Sequence, residues 1–250
     1  MKIISGALSF LWRIWFVLIT ILFTLFFAPF VIFPLSFREK DTKYLAQALR
    51  LWAQLIFYGS GLSYQLHSHE KLDHNQAYII VANHTSLMDI MLMLIIVKQP
   101  LVFVGKAELS KLPIFGPVYK RVNIPVDRQN AASRALVFRK VSEKIKQGKS
   151  VCIFPEGGVP NSQVFLDDFK DGPFALSAIL KIPMVVFSFC GMKERLPYGY
   201  FTGGPGRVEV FLNEIIPAGK FEKKEIPKYK EYVYQQIYQQ LKIYEENKNF

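Results

Sequence analysis

A largely parallel β-sheet covered by helices, preceded by an N-terminal membrane-associated helical segment, is the α/β fold predicted by three features of this chain. From about residue 61 onward, short apolar runs alternate with stretches of helical periodicity, the pattern of strands joined by crossover helices. Ahead of that body, residues 14–37 carry no charge at all, enough to match the ~20 apolar residues that cover a bilayer. Polar residues also gather just after several of the apolar runs, where open α/β sheets collect their ligands.

The N-terminal segment comes first. Pro29 and Pro34 interrupt the uncharged stretch, so a helix is expected to end or kink near Ala28. A second helix is expected over residues 42–57, where Leu45, Leu49, Trp52, Leu55 and Ile56 recur at helical spacing. Together they read as a membrane-embedded helix, a proline-marked turn and an amphipathic helix returning along the interface. A single span remains the alternative, because basic residues flank both ends and charge bias does not choose a topology. No small-residue cleavage site of the Ala-x-Ala kind follows the run, as a signal peptide would require. Two units result: residues 1–60 as a two-helix membrane segment and residues 61–250 as the α/β body.

Within the body, strands are expected at residues 78–82, 101–104, 151–154, 184–189 and 208–212, with a further short apolar run at 124–126. Helices are expected at 87–97, at 134–147 (with Ser133 as the candidate cap and Gly148 after it), and at 174–180. Residues 228–244 read as a packing helix. Cys152 and Cys190 lie within apolar runs and read as small buried hydrophobes, without a disulfide framework or a zinc set.

Half the chain is hydrophobic (51%), yet its formal net charge is +11. Such an excess suits nucleic acid, an acidic partner or an anionic membrane surface. With no nucleic-acid module signature and with an apolar anchor present, anionic lipid is the better match and nucleic acid is not expected.

The most informative spacing is His84-x4-Asp89, directly after the apolar run that ends at Ala82. An imidazole takes a proton near neutral pH, and a carboxylate on its other nitrogen fixes the tautomer and stabilises the imidazolium. Residues five apart on one helix stand about 140° apart around the axis. The pair therefore meets only if His84 lies on the strand-to-helix turn and Asp89 in the first helical turn. A structural reading competes: Ser86 to Asp89 also fits a capping box. Other strand ends add Lys106, the Asp127-Arg128 pair, and Pro155-Glu156-Gly157-Gly158, a set with cations and close-approaching glycine amides that suits an anion. A serine hydrolase would show Gly-x-Ser-x-Gly, which is absent, and His84 with Asp89 supplies two metal ligands at most, so no metal is expected.

Asn83-His84-Thr85-Ser86-Leu87-Met88-Asp89 resembles the NHxxxxD motif of the glycerolipid acyltransferases. Further blocks follow in that family's order: Gly105-Lys106-Ala107-Glu108-Leu109 with Pro113 to Gly116 and Val126-Asp127-Arg128, then Phe154-Pro155-Glu156-Gly157, then Phe169-Lys170-Asp171-Gly172 and Ile182-Pro183. Within the family, the bacterial 1-acyl-glycerol-3-phosphate (PlsC type) branch is the most similar. The resemblance implies an αβα sandwich and acyl transfer from an acyl carrier protein or coenzyme A thioester to the 2-hydroxyl of lysophosphatidate, giving phosphatidate. It implies His84 as the base, Asp89 as its orienter, no acyl-enzyme and no resident cofactor. By position it assigns Lys106, Arg128, Glu156 and Gly157 to the glycerol phosphate. It also implies a catalytic domain on the cytoplasmic face of the inner or plasma membrane. The third block departs from the family, with Gly158 for the usual threonine and Val159 for the usual arginine. Phosphate recognition would then lean on Lys106, Arg128 and Lys111, with the Gly158 amide as a substitute. Otherwise the acceptor is another lyso-lipid.

Overall fold

The computed structural model describes residues 2–38, 42–113, 115–127, 130–161, 163–197 and 199–248. In chain order the elements are α1 (Lys2–Phe27), a π-helical turn (Ala28–Ile32), α2 (Phe33–Leu35), α3 (Thr42–Gly59), β1 (Leu62–His67), β2 (Ile79–Ala82), α4 (Met88–Ile96) and β3 (Leu101–Lys106). A 3-10 turn (Ala107–Lys111) leads to α5 (Phe115–Val122), β4 (Ile124–Val126), α6 (Ala131–Lys146), β5 (Ser150–Cys152), α7 (Gly172–Leu180), β6 (Met184–Cys190), α8 (Met192–Arg195), β7 (Gly206–Ile216) and α9 (Ile226–Lys248).

The seven strands form one sheet in the order β1-β7-β6-β2-β5-β3-β4. Every pairing is parallel except that of β6 with β7. Side chains alternate between two cores, as the period of two along a strand requires. Ile80 and Ala82 of β2, Phe103 of β3 and Val185 and Phe187 of β6 join α1, α3 and α4 on one face. Ile79 and Val81, Val102, and Met184 and Val186 join α6, α7 and α9 on the other. Helices on both faces of a mostly parallel sheet make the αβα sandwich.

At the N-terminus the helix does not stop at Ala28. The chain passes the prolines as a π-helical turn and continues to Leu35, because a widened turn re-pairs the backbone around Pro29 and Pro34, which donate no N–H. α3 runs back along α1: the Trp12 and Trp15 indoles donate to the Ser60 and Gly59 carbonyls at 2.7 and 2.8 Å, and Trp52 reaches Thr24. α1 presents two apolar stripes. Trp12, Phe16, Ile19, Phe23 and Phe27 pack inward, while Leu8 (62% exposed), Leu11, Trp15, Leu18, Leu22 (64%) and Leu25 form an outward row at helical spacing. Arg50 of α3 donates to the carbonyls of Leu94, Val97 and Lys98 at the end of α4, a cation on a helix C-terminus that ties the hairpin to the sandwich.

Other local corrections have simple causes. α6 starts at Ala131, capped by Asn130, whose side chain accepts from the Ser133 N–H; Ser133 is inside the helix. β1 and α5, absent from the sequence expectations, are respectively an edge strand and a helix whose first turn holds Gly116 and Pro117.

Candidate active site

Asn83 ends β2. Its buried amide pairs with both backbone groups of Phe189, donating to the carbonyl at 2.9 Å and accepting from the N–H at 2.7 Å. A side chain thus continues the β2–β6 ladder for one more step and fixes where the chain leaves the sheet. His84 follows on the turn, and Asp89 lies in the first turn of α4.

The two side chains meet. His84 Nδ1 is 3.0 Å from Asp89 Oδ2, with Asp89 fully buried and the imidazole 13% exposed. The same oxygen accepts from the Thr85 and Ser86 N–H groups at 2.6 and 2.8 Å, and the Ser86 hydroxyl accepts from the Met88 N–H at 3.1 Å. The capping box expected of Ser86 and Asp89 forms only in half: Asp89 accepts from the Ser86 N–H, while the Asp89 N–H donates to the Ser86 carbonyl and Leu87, at the helix start, makes no side-chain cap. Asp89 Oδ1 is buried without a hydrogen-bond partner among the described residues. Imidazole Nε2 has no partner among them either, which makes it the nitrogen available to a ligand.

Two groups from the turn after β5 hold His84 from the other side, one at its ring and one at its backbone. The Phe154 ring stacks on it with centroids 4.1 Å apart and planes 14° apart. Glu156, 4% exposed, accepts from the His84 N–H at 2.6 Å and from the Asp167 N–H at 3.0 Å. Burial pushes its carboxyl up to about 7, outweighing those two N–H groups, and nearby Asp89 and Asp167 push the same way. Gly157 closes this turn at φ +84°, a left-handed conformation that disfavours any side chain, with its N–H on the Phe154 carbonyl. Gly158 is next, half-buried.

Lys106, at the end of β3, is exposed at the same edge of the sheet. Just before it, Gly105 leaves room for the Tyr119 hydroxyl, which a Cβ there would meet at 2.2 Å. Lys111 is exposed on the following 3-10 turn. Arg128 lies outside the described residues. His84, Asp89, Glu156 and Gly157 are therefore in direct contact or adjacent, while Lys106 and Gly158 share their sheet edge. Sequence reasoning gave no role to Asn83, Phe154 or the Asp167 amide. For Asn83 the available signal was an amide directly after a fully buried strand.

Neither cysteine competes as a nucleophile. Burial, aided by the Asp89 charge, holds the Cys152 thiol well above its ordinary range, and burial lifts Cys190 to about 12. Among the described residues no group of three His, Cys, Asp or Glu side chains could hold a metal ion.

At the strand ends of the αβα sandwich the structure places an imidazole whose Nδ1 lies on a buried carboxylate, an arrangement chemically able to accept a proton at Nε2. A family model described as Acyltransferase matches residues 63–189, and the chain belongs to that family. It is similar to a PlsC 1-acyl-sn-glycerophosphate acyltransferase from Thermotoga maritima, whose crystal structure superposes with a TM-score of 0.77 at 27% identity over 97% of each chain. It is 28% identical to a chloroplastic 1-acyl-sn-glycerol-3-phosphate acyltransferase of Brassica napus over 68% of this chain and 48% of that protein. It is 23% identical to the corresponding Salmonella typhimurium enzyme over 84% of this chain and 86% of that one. The chain spans about half the length of the first curated plant relatives it matches, 48% and 53%.

Proposed function

We propose that this protein transfers a fatty acyl group from a thioester, on acyl carrier protein or coenzyme A, to the sn-2 hydroxyl of lysophosphatidate. In this reading His84 Nε2 takes the hydroxyl proton while the oxygen attacks the thioester carbonyl. The tetrahedral intermediate expels the thiolate, which recovers that proton from His84. One ester bond forms and one thioester bond breaks; the products are phosphatidate and the free thiol. Asp89 keeps Nδ1 protonated, so that Nε2 is the acceptor, and stabilises the imidazolium. The observation that carries this reading is the 3.0 Å contact from Nδ1 to Asp89, which leaves Nε2 open. Lys106, Arg128 and the Gly157-Gly158 backbone are the proposed phosphate site. Glu156 is proposed as a positioning residue that holds the His84 loop through its N–H.

Residues 1–60 are proposed as the membrane-docking unit and 61–250 as the acyl-transferring body. Among the described residues one helix, Gly6–Leu35, is long and apolar enough to cross a bilayer. Its inward stripe is packed along the sandwich, which favours lying half-immersed in the interface over passing through it. The catalytic body is then proposed to sit on the cytoplasmic membrane face.

A second acceptor class is favoured by one observation: Gly158-Val159 supplies no cationic side chain where the family's third block has one. The discriminating experiment gives the purified protein each donor with lysophosphatidate, lysophosphatidylcholine, lysophosphatidylethanolamine and a lyso-aminolipid, and identifies products by mass. Phosphatidate formed fastest is the expected result. Turnover confined to zwitterionic or uncharged acceptors would replace lysophosphatidate, and no transfer to any acceptor would sink the acyltransferase reading.

A further inference from the structure

The link between α8 and β7 is tied down at its base and carries two bare aromatic rings at its tip. Gly204 donates its N–H to the Arg195 carbonyl at 3.0 Å, and Arg195 Nη1 donates to the Pro205 carbonyl at 3.2 Å. Gly203 turns the chain at φ +90°, where a Cβ would meet the Arg195 carbonyl oxygen at 2.5 Å. Tyr200 and Phe201 nevertheless stand 66% and 65% exposed. Single apolar side chains on a surface need no explanation; these two differ in what they adjoin.

The link lies along the first turns of α1. The Phe201 ring stacks on Phe10 with centroids 5.3 Å apart, and the Ser9 hydroxyl donates to the Gly203 carbonyl at 2.8 Å. Arg13, the last charge before the uncharged stretch 14–37, donates Nη2 to the Pro197 carbonyl at 2.6 Å and lies 5.6 Å from the Tyr200 ring centre. Phe10 also begins a flank of α1, Phe10, Ile14, Val17 and Ile21, whose members are exposed and recur at helical spacing. At about 100° per residue this flank lies between the link and the outward row of the helix. Tyr200 and Phe201 therefore prolong one apolar surface past the edge of α1. Bracing the helix explains the stacked face of Phe201, but not why both rings stay bare.

We propose that the Tyr200-Phe201 tip is a second membrane-contacting element, seated in the headgroup boundary of a lipid bilayer beside α1. The inference rests on the reading of residues 1–60 as the membrane-docking unit and adds to it a part of the α/β body. Aromatic rings settle at that boundary, where an apolar body and a polar rim are both satisfied. The tip lies beside residues 9–13, at the end of the uncharged stretch, where such a boundary falls. A lone helix lying in the interface can roll about its axis; a second contact off that axis fixes the orientation of the sandwich to the bilayer.

The test uses the full-length protein in vesicles of equal parts phosphatidylglycerol and phosphatidylethanolamine. Cys152 and Cys190 are buried, so a nitroxide thiosulfonate labels a cysteine introduced on the surface. Phe201→Cys is compared with Leu18→Cys on the outward row of α1 and with Lys223→Cys, at an exposed position elsewhere. The readout is relaxation of the label by dissolved oxygen, which concentrates in lipid, divided by relaxation by a water-soluble nickel chelate. The ratio at position 201 is expected to be several-fold above that at 223 and close to that at 18. Tyr200→Cys is the position to use if Phe201→Cys does not fold. A ratio at 201 equal to that at 223, with a high ratio at 18, would overturn the proposal and leave docking by α1 standing. Low ratios at both 18 and 201 would remove the docking reading and the proposal with it. Dipolar broadening between labels at 201 that vanishes when unlabelled protein is mixed in would assign the tip to a second copy of the chain instead.

Discussion

Asp89→Asn isolates the charge of the dyad at nearly constant shape. If the amide oxygen takes the place of Oδ2, it keeps the Thr85 and Ser86 N–H bonds at 2.6 and 2.8 Å. The new NH₂ group then occupies the position of Oδ1, which is buried without a partner, and an unsatisfied buried donor costs about 1–3 kcal/mol of stability. The charge matters more to the rate. At 3.0 Å, and with an effective dielectric of about 20, a carboxylate attracts an imidazolium by roughly 5 kcal/mol. Part of that survives as a neutral hydrogen bond. Since positioned acid–base groups contribute about 10²–10⁴ in rate, a fall of that order in kcat is expected, with KM changed little because the interaction grows only as the proton moves. Steady-state acyl transfer in mixed micelles, with thermal unfolding on the same preparation, separates the two effects. A folded Asp89→Asn enzyme with wild-type kcat would refute the reasoning.

Glu156 gives a pH signature. Its carboxyl is raised from 4.5 to about 7, chiefly by burial, so the folded protein holds that proton more tightly than the unfolded chain. The resulting stability is fully present below pH 4.5 and is lost as pH rises to about 7, in total roughly 3 kcal/mol. Glu156→Gln should flatten the melting temperature across that window; an unchanged pH slope would contradict the assignment. Asn83→Ala leaves the Phe189 N–H and carbonyl unpaired at the end of β2, at roughly 1–3 kcal/mol for each group. Denaturant titration should show it, and wild-type stability would mean the sheet end is held otherwise. Phe154→Leu removes the ring stacked on His84, worth about 0.5–1.5 kcal/mol. A modest loss of kcat with a loss of stability of that order is expected, since Phe154 is buried in the core, and an unaltered pH–rate profile would show that stacking does not tune the imidazole.

Much of this was legible because strands buried on both faces are continuous apolar runs. Ile79 to Ala82 and Met184 to Cys190 announce themselves that way. β1 escaped notice because it is an edge strand: Leu62 is buried, but Ser63, Gln65 and Leu66 are exposed, so a half-wet strand reads as loop. The antiparallel placement of β7 follows a connection that carries α8, between Cys190 and Gly206, and has no local signature. The meeting of His84 and Asp89 was readable from spacing plus placement after a strand. The bracing of His84 by Glu156 was not, since it joins residues 72 apart through a backbone N–H. The same contact shows why a carboxylate in a motif need not face a ligand.

The most direct test is single-turnover acyl transfer from a thioester to lysophosphatidate by His84→Ala, in a preparation whose unfolding transition matches the wild type. A proton-accepting His84 predicts loss of transfer by about 10²–10⁴ at neutral pH with acceptor binding retained. Transfer at the wild-type rate would contradict it.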